Sequence, residues 1–217
     1  MIHLLNVSKS YRTRNEWRQV LKPTTLSLPT QRRIGVLGRN GAGKSTFLRV
    51  IAGAEPPDHG QVVRETQLSW PIGFGGAFHG DLTGRENLRF ISRIYDVDEA
   101  HILAFVEDFA ELGDYLEMPV RTYSSGMRAR LAFGASLSID FECYLIDEVM
   151  SVGDKWFRDK ASRELKARIG RAGLLLVSHN INTIRDYCDM AIVLRGGRVL
   201  PFENVDDAIH FYSAEER

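Results

Sequence analysis

Short apolar or alternating runs at Leu4 to Val7, Gln19 to Leu28 and Arg33 to Leu37 predict three strands, with Pro23 and Pro29 as punctuation. A helical pattern opens at Gly43 and closes near Ala52, where Gly53 supplies a C-terminal stop. Pro56-Pro57-Asp58-His59-Gly60 reads as a turn leading to two further short strands, near Val62 and Leu68. Gly73, Gly75, Gly76 and Gly80 then mark a mobile stretch. Thr83-Gly84-Arg85-Glu86 has the spacing of a capping box, in which a Thr side chain and a Glu three residues on satisfy each other's free backbone donors. From there to about Leu137 the period is helical. Leu88, Ile91 and Tyr95 share one face, and Ile102, Phe105, Val106 and Phe109 share another.

The last third alternates again. Cys143 to Ile146, Leu174 to Val177 and Met190 to Leu194 predict strands, and Trp156 to Ile169 and Ile181 to Tyr187 predict the helices between them. Gly196-Gly197 forms a turn, and a final helix spans Val205 to Ala214. Such alternation argues for an α/β fold with a mostly parallel sheet, into which the central helical block is inserted. The expected organisation is a single domain over 1–217, with a core of 1–78 and 138–217 and a helical subdomain of 79–137.

Composition narrows the function classes. Lys plus Arg is 28 and Asp plus Glu is 28, so the formal net charge is zero. A nucleic-acid binder would usually carry a basic excess, so no nucleic-acid partner is expected; Arg121, Arg128 and Arg130 read as a solvated helix face, with local contact points as the alternative. The two cysteines, Cys143 and Cys188, sit among apolar residues without metal-ligand spacing, as buried thiols of a reducing compartment do. The N-terminus lacks the basic and apolar regions of a signal peptide, and no apolar stretch approaches the ~20 residues that span a bilayer. Any work at a membrane would therefore go through a partner.

The chemistry starts at Gly38-Arg39-Asn40-Gly41-Ala42-Gly43-Lys44-Ser45-Thr46, which follows the apolar run Ile34 to Leu37 and precedes a helix. That is the strand–loop–helix setting of a phosphate loop. Glycines let backbone N–H groups wrap phosphates, and the helix N-terminus adds a partial positive charge. Lys44 can reach the β- and γ-phosphates, and the Ser45 hydroxyl can ligate Mg²⁺. By itself the motif means nucleotide binding and does not separate a kinase, a GTPase and a transport ATPase. The Asn-Lys-x-Asp guanine reader of GTPases is absent from the sequence.

Cys143-Tyr144-Leu145-Ile146-Asp147-Glu148 is an apolar strand ending in two carboxylates. Strand C-termini of a parallel sheet line the ligand crevice, which places this pair beside the phosphate loop. Asp147 is then expected to hold Mg²⁺ through water, and Glu148 to orient and deprotonate the attacking water. His179, just past the strand Leu174 to Val177, is expected to sense the γ-phosphate.

Tyr123-Ser124-Ser125-Gly126-Met127-Arg128, before a helix and upstream of Asp147, resembles the signature motif of ABC ATPases in a variant of the usual Leu-Ser-Gly-Gly-Gln. The resemblance implies the P-loop NTPase fold of that family: a mostly parallel core sheet, N-terminal antiparallel strands and an inserted helical subdomain. It also implies ATP and Mg²⁺ as cofactors and a head-to-tail dimer with a second copy, in which Ser125 and Gly126 of one chain close over the ATP of the other. Such dimers drive an integral membrane permease. Ser151-Val152-Gly153-Asp154 sits where the family has its dimer-contact loop, and Tyr11 where it has an aromatic that stacks on adenine.

More narrowly, the chain is similar to the ATP-binding proteins of bacterial capsular-polysaccharide exporters. Lys9-Ser10-Tyr11-Arg12-Thr13, the phosphate loop, Leu82-Thr83-Gly84-Arg85-Glu86-Asn87, the signature segment and Asp147-Glu148 carry that likeness. It implies an ATPase peripheral to the cytoplasmic face of the inner membrane. O-antigen and teichoic-acid exporters share several of these features, and some O-antigen relatives carry an extra C-terminal domain for which this sequence leaves no room. One departure stands out. Where most ABC ATPases have a Gln touching Mg²⁺ and the permease, this chain has Trp70 to His79 with no Gln, and Gln67 lies upstream. Either His79 substitutes, or that contact is missing or made by water. The glycines and exposed aromatics there fit a surface that docks a permease. A soluble ABC protein and a non-hydrolysing ATP binder are the competing readings. The modest insertion argues against the first, and Glu148 with His179 against the second.

Overall fold

The computed structural model describes residues 1–14, 16–72, 78–147 and 155–214. In chain order the elements are β1 (Ile2–Arg12), β2 (Trp17–Leu28), β3 (Arg33–Leu37), α1 (Lys44–Ala52), β4 (His59–Arg64), α2 (Gly84–Tyr95), α3 (Glu99–Ala110) and α4 (Ser125–Leu137). They continue with β5 (Cys143–Asp147), α5 (Lys155–Ile169), β6 (Gly173–Val177), α6 (Ile181–Tyr187), β7 (Met190–Arg195), β8 (Arg198–Phe202) and α7 (Val205–Ala214). Two compact units result. One takes in Met1–Pro71, β5 and the described chain from Ile169 onward; the other holds Ile72–Asp140 and α5 as far as Arg168. Helix α5, which reads from the sequence as part of the core, thus groups with the helical segment over nearly all its length.

The first unit holds two sheets. One has the order β2-β1-β4, with both pairings antiparallel; Tyr11 stands opposite Arg18, one pair from the end where β1 turns into β2. Among the described residues the other has the order β5-β6-β3-β7-β8. β3 is parallel to β6 and β7, and β5 is parallel to β6, so Asp147 falls in register with Val177. β8 returns antiparallel on β7 through Gly196-Gly197, a strand that the sequence pattern does not announce because its burial does not alternate cleanly.

Period-2 alternation explains why the parallel strands are so apolar. Ile34, Val36, Leu145, Leu175, Val177, Ile192 and Leu194 join the α1 side chains Phe47, Leu48, Val50 and Ile51 in one core, to which the antiparallel sheet adds Ile2, Leu4, Val7, Leu21 and Leu28. The intervening Leu174, Leu176, Ala191 and Val193 are buried as well, and α6 and α7 pack on β3 and β7. A parallel sheet covered on both faces needs near-continuous hydrophobic strands, as found here. Both cysteines are buried, and that burial pushes each thiol up to about 12. The strand expected near Leu68 is a single bridge to Cys143, with Ser69 Oγ accepting from the Leu145 N–H at 2.8 Å. Trp70 is half-buried and packs edge-on against Phe141, 5.6 Å between ring centroids. The stretch Gly73 to Ala77 lies outside the described residues, as does Ser151 to Asp154.

The helical unit begins with the anticipated capping box. Thr83 Oγ1 accepts from the Glu86 N–H at 3.0 Å, and Glu86 Oε2 accepts from the Thr83 N–H at 2.8 Å. Behind it stands a buried polar hub. The Asn87 amide donates to the carbonyls of His79, Leu82 and Thr83 at 3.1, 3.3 and 2.9 Å, and its Oδ1 accepts from the His79 N–H at 2.8 Å. One side chain thus engages backbone groups of three residues in the entry turn. Further along, the Phe105 and Phe109 rings stack, and Phe157 of α5 meets Phe109 at a tilt. Among the described residues no helix is long and apolar enough to cross a membrane. Because Asn87 is 3% exposed and fully engaged, Asn87→Ala is expected to lower stability by about 2–3 kcal/mol, read from urea unfolding followed by circular dichroism.

Candidate nucleotide-binding site

The phosphate loop hangs between β3 and α1. Because β3 is the middle strand, its C-terminal end opens onto the crevice side of the parallel strands. Gly43 caps α1 with φ 101°. A Cβ there would stand 2.5 Å from Val20 Cγ1 and 3.0 Å from Val20 O, so the left-handed turn and the close approach of β2 both demand glycine. Among the described residues no side chain caps α1, and its first turn contains no acidic residue. The N–H groups and the positive end of the helix dipole are therefore left for an anion.

Lys44 is 8% exposed, and its ammonium donates to the carbonyls of Gly38 at 2.7 Å and Arg39 at 3.2 Å. Burial lowers its pKa, and the negative charge of Asp147 works in the opposite direction. The ammonium is thus folded back over the loop, at the place where phosphate charge would be received. A cavity of about 560 Å³ is lined by Tyr11, Asn40, Gly41, Gly43, Lys44, Ser45, Thr46 and Asp147, among others. Of the expected site residues, these eight are brought together. Gly38 and Arg39 contribute through the carbonyls that hold Lys44, while Arg39 and Ala42 face a neighbouring cavity. Val177 lines the site at the end of β6, and the exposed His179 follows two residues later. Glu148 lies outside the described residues.

Tyr11 is held by its hydroxyl. It donates to Glu55 Oε1 at 2.6 Å, lies 3.2 Å from Thr46 Oγ1 and accepts from Arg49 Nη2 at 3.3 Å. Arg49 Nε in turn reaches Glu55 Oε2 at 3.0 Å, and Lys9 Nζ lies 3.4 Å from Glu55 Oε1. The sequence reading missed Glu55 and Arg49. Arg49 follows Thr46 by one helical turn on α1, a spacing that could have flagged it, whereas nothing in the sequence links Glu55 to Tyr11. The signature residues sit in the helical unit. Ser124 caps α4, its Oγ accepting from the Met127 N–H at 3.2 Å, which leaves Ser125 exposed and Gly126 half-buried in the first turn. This is the small-residue helix start expected of an anion-facing motif.

A buried lysine over a glycine loop, a helix start free of acids and a strand-end aspartate define a P-loop nucleotide-binding protein. The family model described as "ABC transporter" matches residues 21–151. The chain belongs to the ABC transporter family, as an ATP-binding protein of that family. It is 50% identical over 214 residues to the capsule polysaccharide export ATP-binding protein CtrD of Neisseria meningitidis serogroup B, covering 99% of each chain. It is 49% identical to the ATP-binding protein BexA of Haemophilus influenzae over the whole of both. Among solved structures, the ATP-binding cassette MJ0796, a dimer bound to ADP and Pi in a post-hydrolysis state, superposes with a TM-score of 0.78. The two are 22% identical, and the match covers 94% of this chain and 99% of that one. The likeness fixes the fold.

Two measurements test the geometry. Lys44→Ala removes charge-assisted contacts worth about 1.5–3 kcal/mol and should weaken ATP binding roughly 10- to 100-fold in a fluorescent-nucleotide titration. Glu55 provides a pH test. Burial pushes its carboxyl up, but the hydrogen bonds from Tyr11, Arg49 and Lys9 outweigh this and hold it below its ordinary value of 4.5. Its contribution to stability is therefore full above that value and lost as pH falls through the lower folded one. Glu55→Gln should destabilise the protein at pH 7, and the gap to wild type should close in urea melts at progressively more acidic pH.

Proposed function

We propose that this chain is the ATP-hydrolysing subunit of an exporter that moves capsular polysaccharide across the bacterial inner membrane. The observation that carries the reading is the end-to-end likeness, at about half identity, to a capsule polysaccharide export ATP-binding protein. The cavity supplies the chemistry. Backbone N–H groups of the loop and the Lys44 ammonium receive the phosphates, and the Tyr11 ring, fixed by its hydroxyl, lies against the adenine. The Ser45 hydroxyl and Asp147 carboxylate line one cavity, a hard oxygen donor set that suits Mg²⁺. They would hold the ion, which when bound supplies charge neutralisation on the transferred phosphoryl group. Glu148 takes the proton of the attacking water, and His179 holds that water near the γ-phosphate.

Ser125 and Gly126 act on the nucleotide of a second copy, in a head-to-tail dimer of the kind the signature motif implies; the dimeric state of MJ0796 supports this. The dimer works on a separate integral membrane permease, peripheral to the cytoplasmic face of the inner membrane. Glu148→Gln should cut ATP turnover at least ~100-fold while keeping ATP binding, and the variant should elute as a dimer in ATP on size-exclusion chromatography. Unchanged turnover would remove Glu148 as the base. The export role is tested by expression in a capsulated strain lacking its own export ATPase. Wild type should restore surface capsule and Lys44→Ala should not; failure of an active wild type would sink the export reading.

A further inference from the structure

Next to the nucleotide cavity lies a second cavity of about 670 Å³, bounded by β2, the phosphate loop, the β7–β8 turn and α7. Four cations from three separate segments face it: Arg18 and Lys22 from β2, Arg39 from the loop and Arg195 from the end of β7. Among the described residues no carboxylate lines it. The chain as a whole is formally neutral, so this concentration of positive charge is local and not a consequence of overall composition. A walled cavity of one sign focuses the field and attracts ligands of the other.

The cations are positioned by the fold. Arg18 Nη2 donates to Gly41 O at 3.4 Å, which ties it to the loop. The Lys22 N–H donates to Gly197 O at 2.7 Å, which ties β2 to the β7–β8 turn, and a Cβ on Gly197 would come within 3.2 Å of Lys22 Cγ. The Arg195 guanidinium stands over the Phe211 ring at 6.0 Å, and Phe211 packs on Phe202 of β8. Val20, Val193 and Leu194 give the cavity an apolar floor. Its volume is that of a small-molecule pocket, with convergent charge over an apolar base.

We propose that this cavity is a second anion site, separate from the nucleotide cavity, that takes a small ligand bearing several phosphate groups. Arg18, Val20, Asn40 and Gly41 line both cavities, so the ligand would sit against the phosphate loop beside the nucleotide cavity. The assignment rests on the nucleotide reading only in that ADP is used to fill the neighbouring cavity.

The experiment titrates tripolyphosphate into full-length protein saturated with ADP in magnesium-free buffer, by isothermal calorimetry. Wild type is expected to bind it at one site. Lys22→Glu with Arg195→Glu should weaken that binding at least tenfold, and Lys22→Gln with Arg195→Gln by a smaller factor, with ADP affinity unchanged in both. Retained ADP affinity shows that the variants are folded. Absence of binding to the ADP-loaded wild type, or equal binding by both variant pairs, overturns the proposal. If ADP itself fails to bind, the nucleotide reading falls. Tripolyphosphate titrated alone against the same variants then decides this site on its own.

Discussion

The burial of β3 between β6 and β7, with α1 packed on the same layer, is the constraint from which the nucleotide site follows. A central strand cannot shift its register without moving Ile34 and Val36 out of the core they share with Phe47 and Leu48. The loop that leaves its end is therefore held at both ends by buried residues. That anchorage lets Gly43 stand in a left-handed turn against Val20, and lets Lys44 keep an ammonium almost out of water. The same parallel pairing carries Asp147 and Val177 to one level at the strand ends, so a carboxylate comes to share a cavity with the loop.

The other wall of that cavity depends on a polar network. Tyr11 sits on β1 in the antiparallel sheet, and its hydroxyl is bound to Glu55, Thr46 and Arg49, which lie on α1 and just beyond it. These hydrogen bonds fix the side chain that lines the cavity beside the phosphate loop. The network is largely shielded from solvent, and its carboxylate stays ionised because three donors converge on it. The phosphate end and the aromatic end of the site are thus set by different physics, backbone geometry in one case and charge-assisted hydrogen bonds in the other.

The helical unit carries the segment that resembles the family's signature motif. The start of α4 has a small-residue, acid-free first turn capped by Ser124. In the same helical unit, the Asn87 side chain holds the turn that enters α2. Its four hydrogen bonds give that residue a physical reason to be there.

Much of this was legible in the sequence. The phosphate loop, the helix from Lys44, the capping box at Thr83 and Glu86 and the apolar strand ending at Asp147 are local patterns, fixed by residues within a few positions of one another, so periodicity and turn chemistry reveal them. The two buried thiols follow from their apolar flanks in the same way. The tertiary structure alone decided that Leu68 makes a single bridge, that β8 closes the sheet edge, that Trp70 packs on Phe141 and that α5 joins the helical unit. It also decided that Glu55 holds Tyr11 and that four cations from β2, the loop and β7 meet in one cavity. Each of these depends on partners brought together by strand order and packing rather than by sequence spacing, and a one-dimensional pattern carries no record of such long-range contacts.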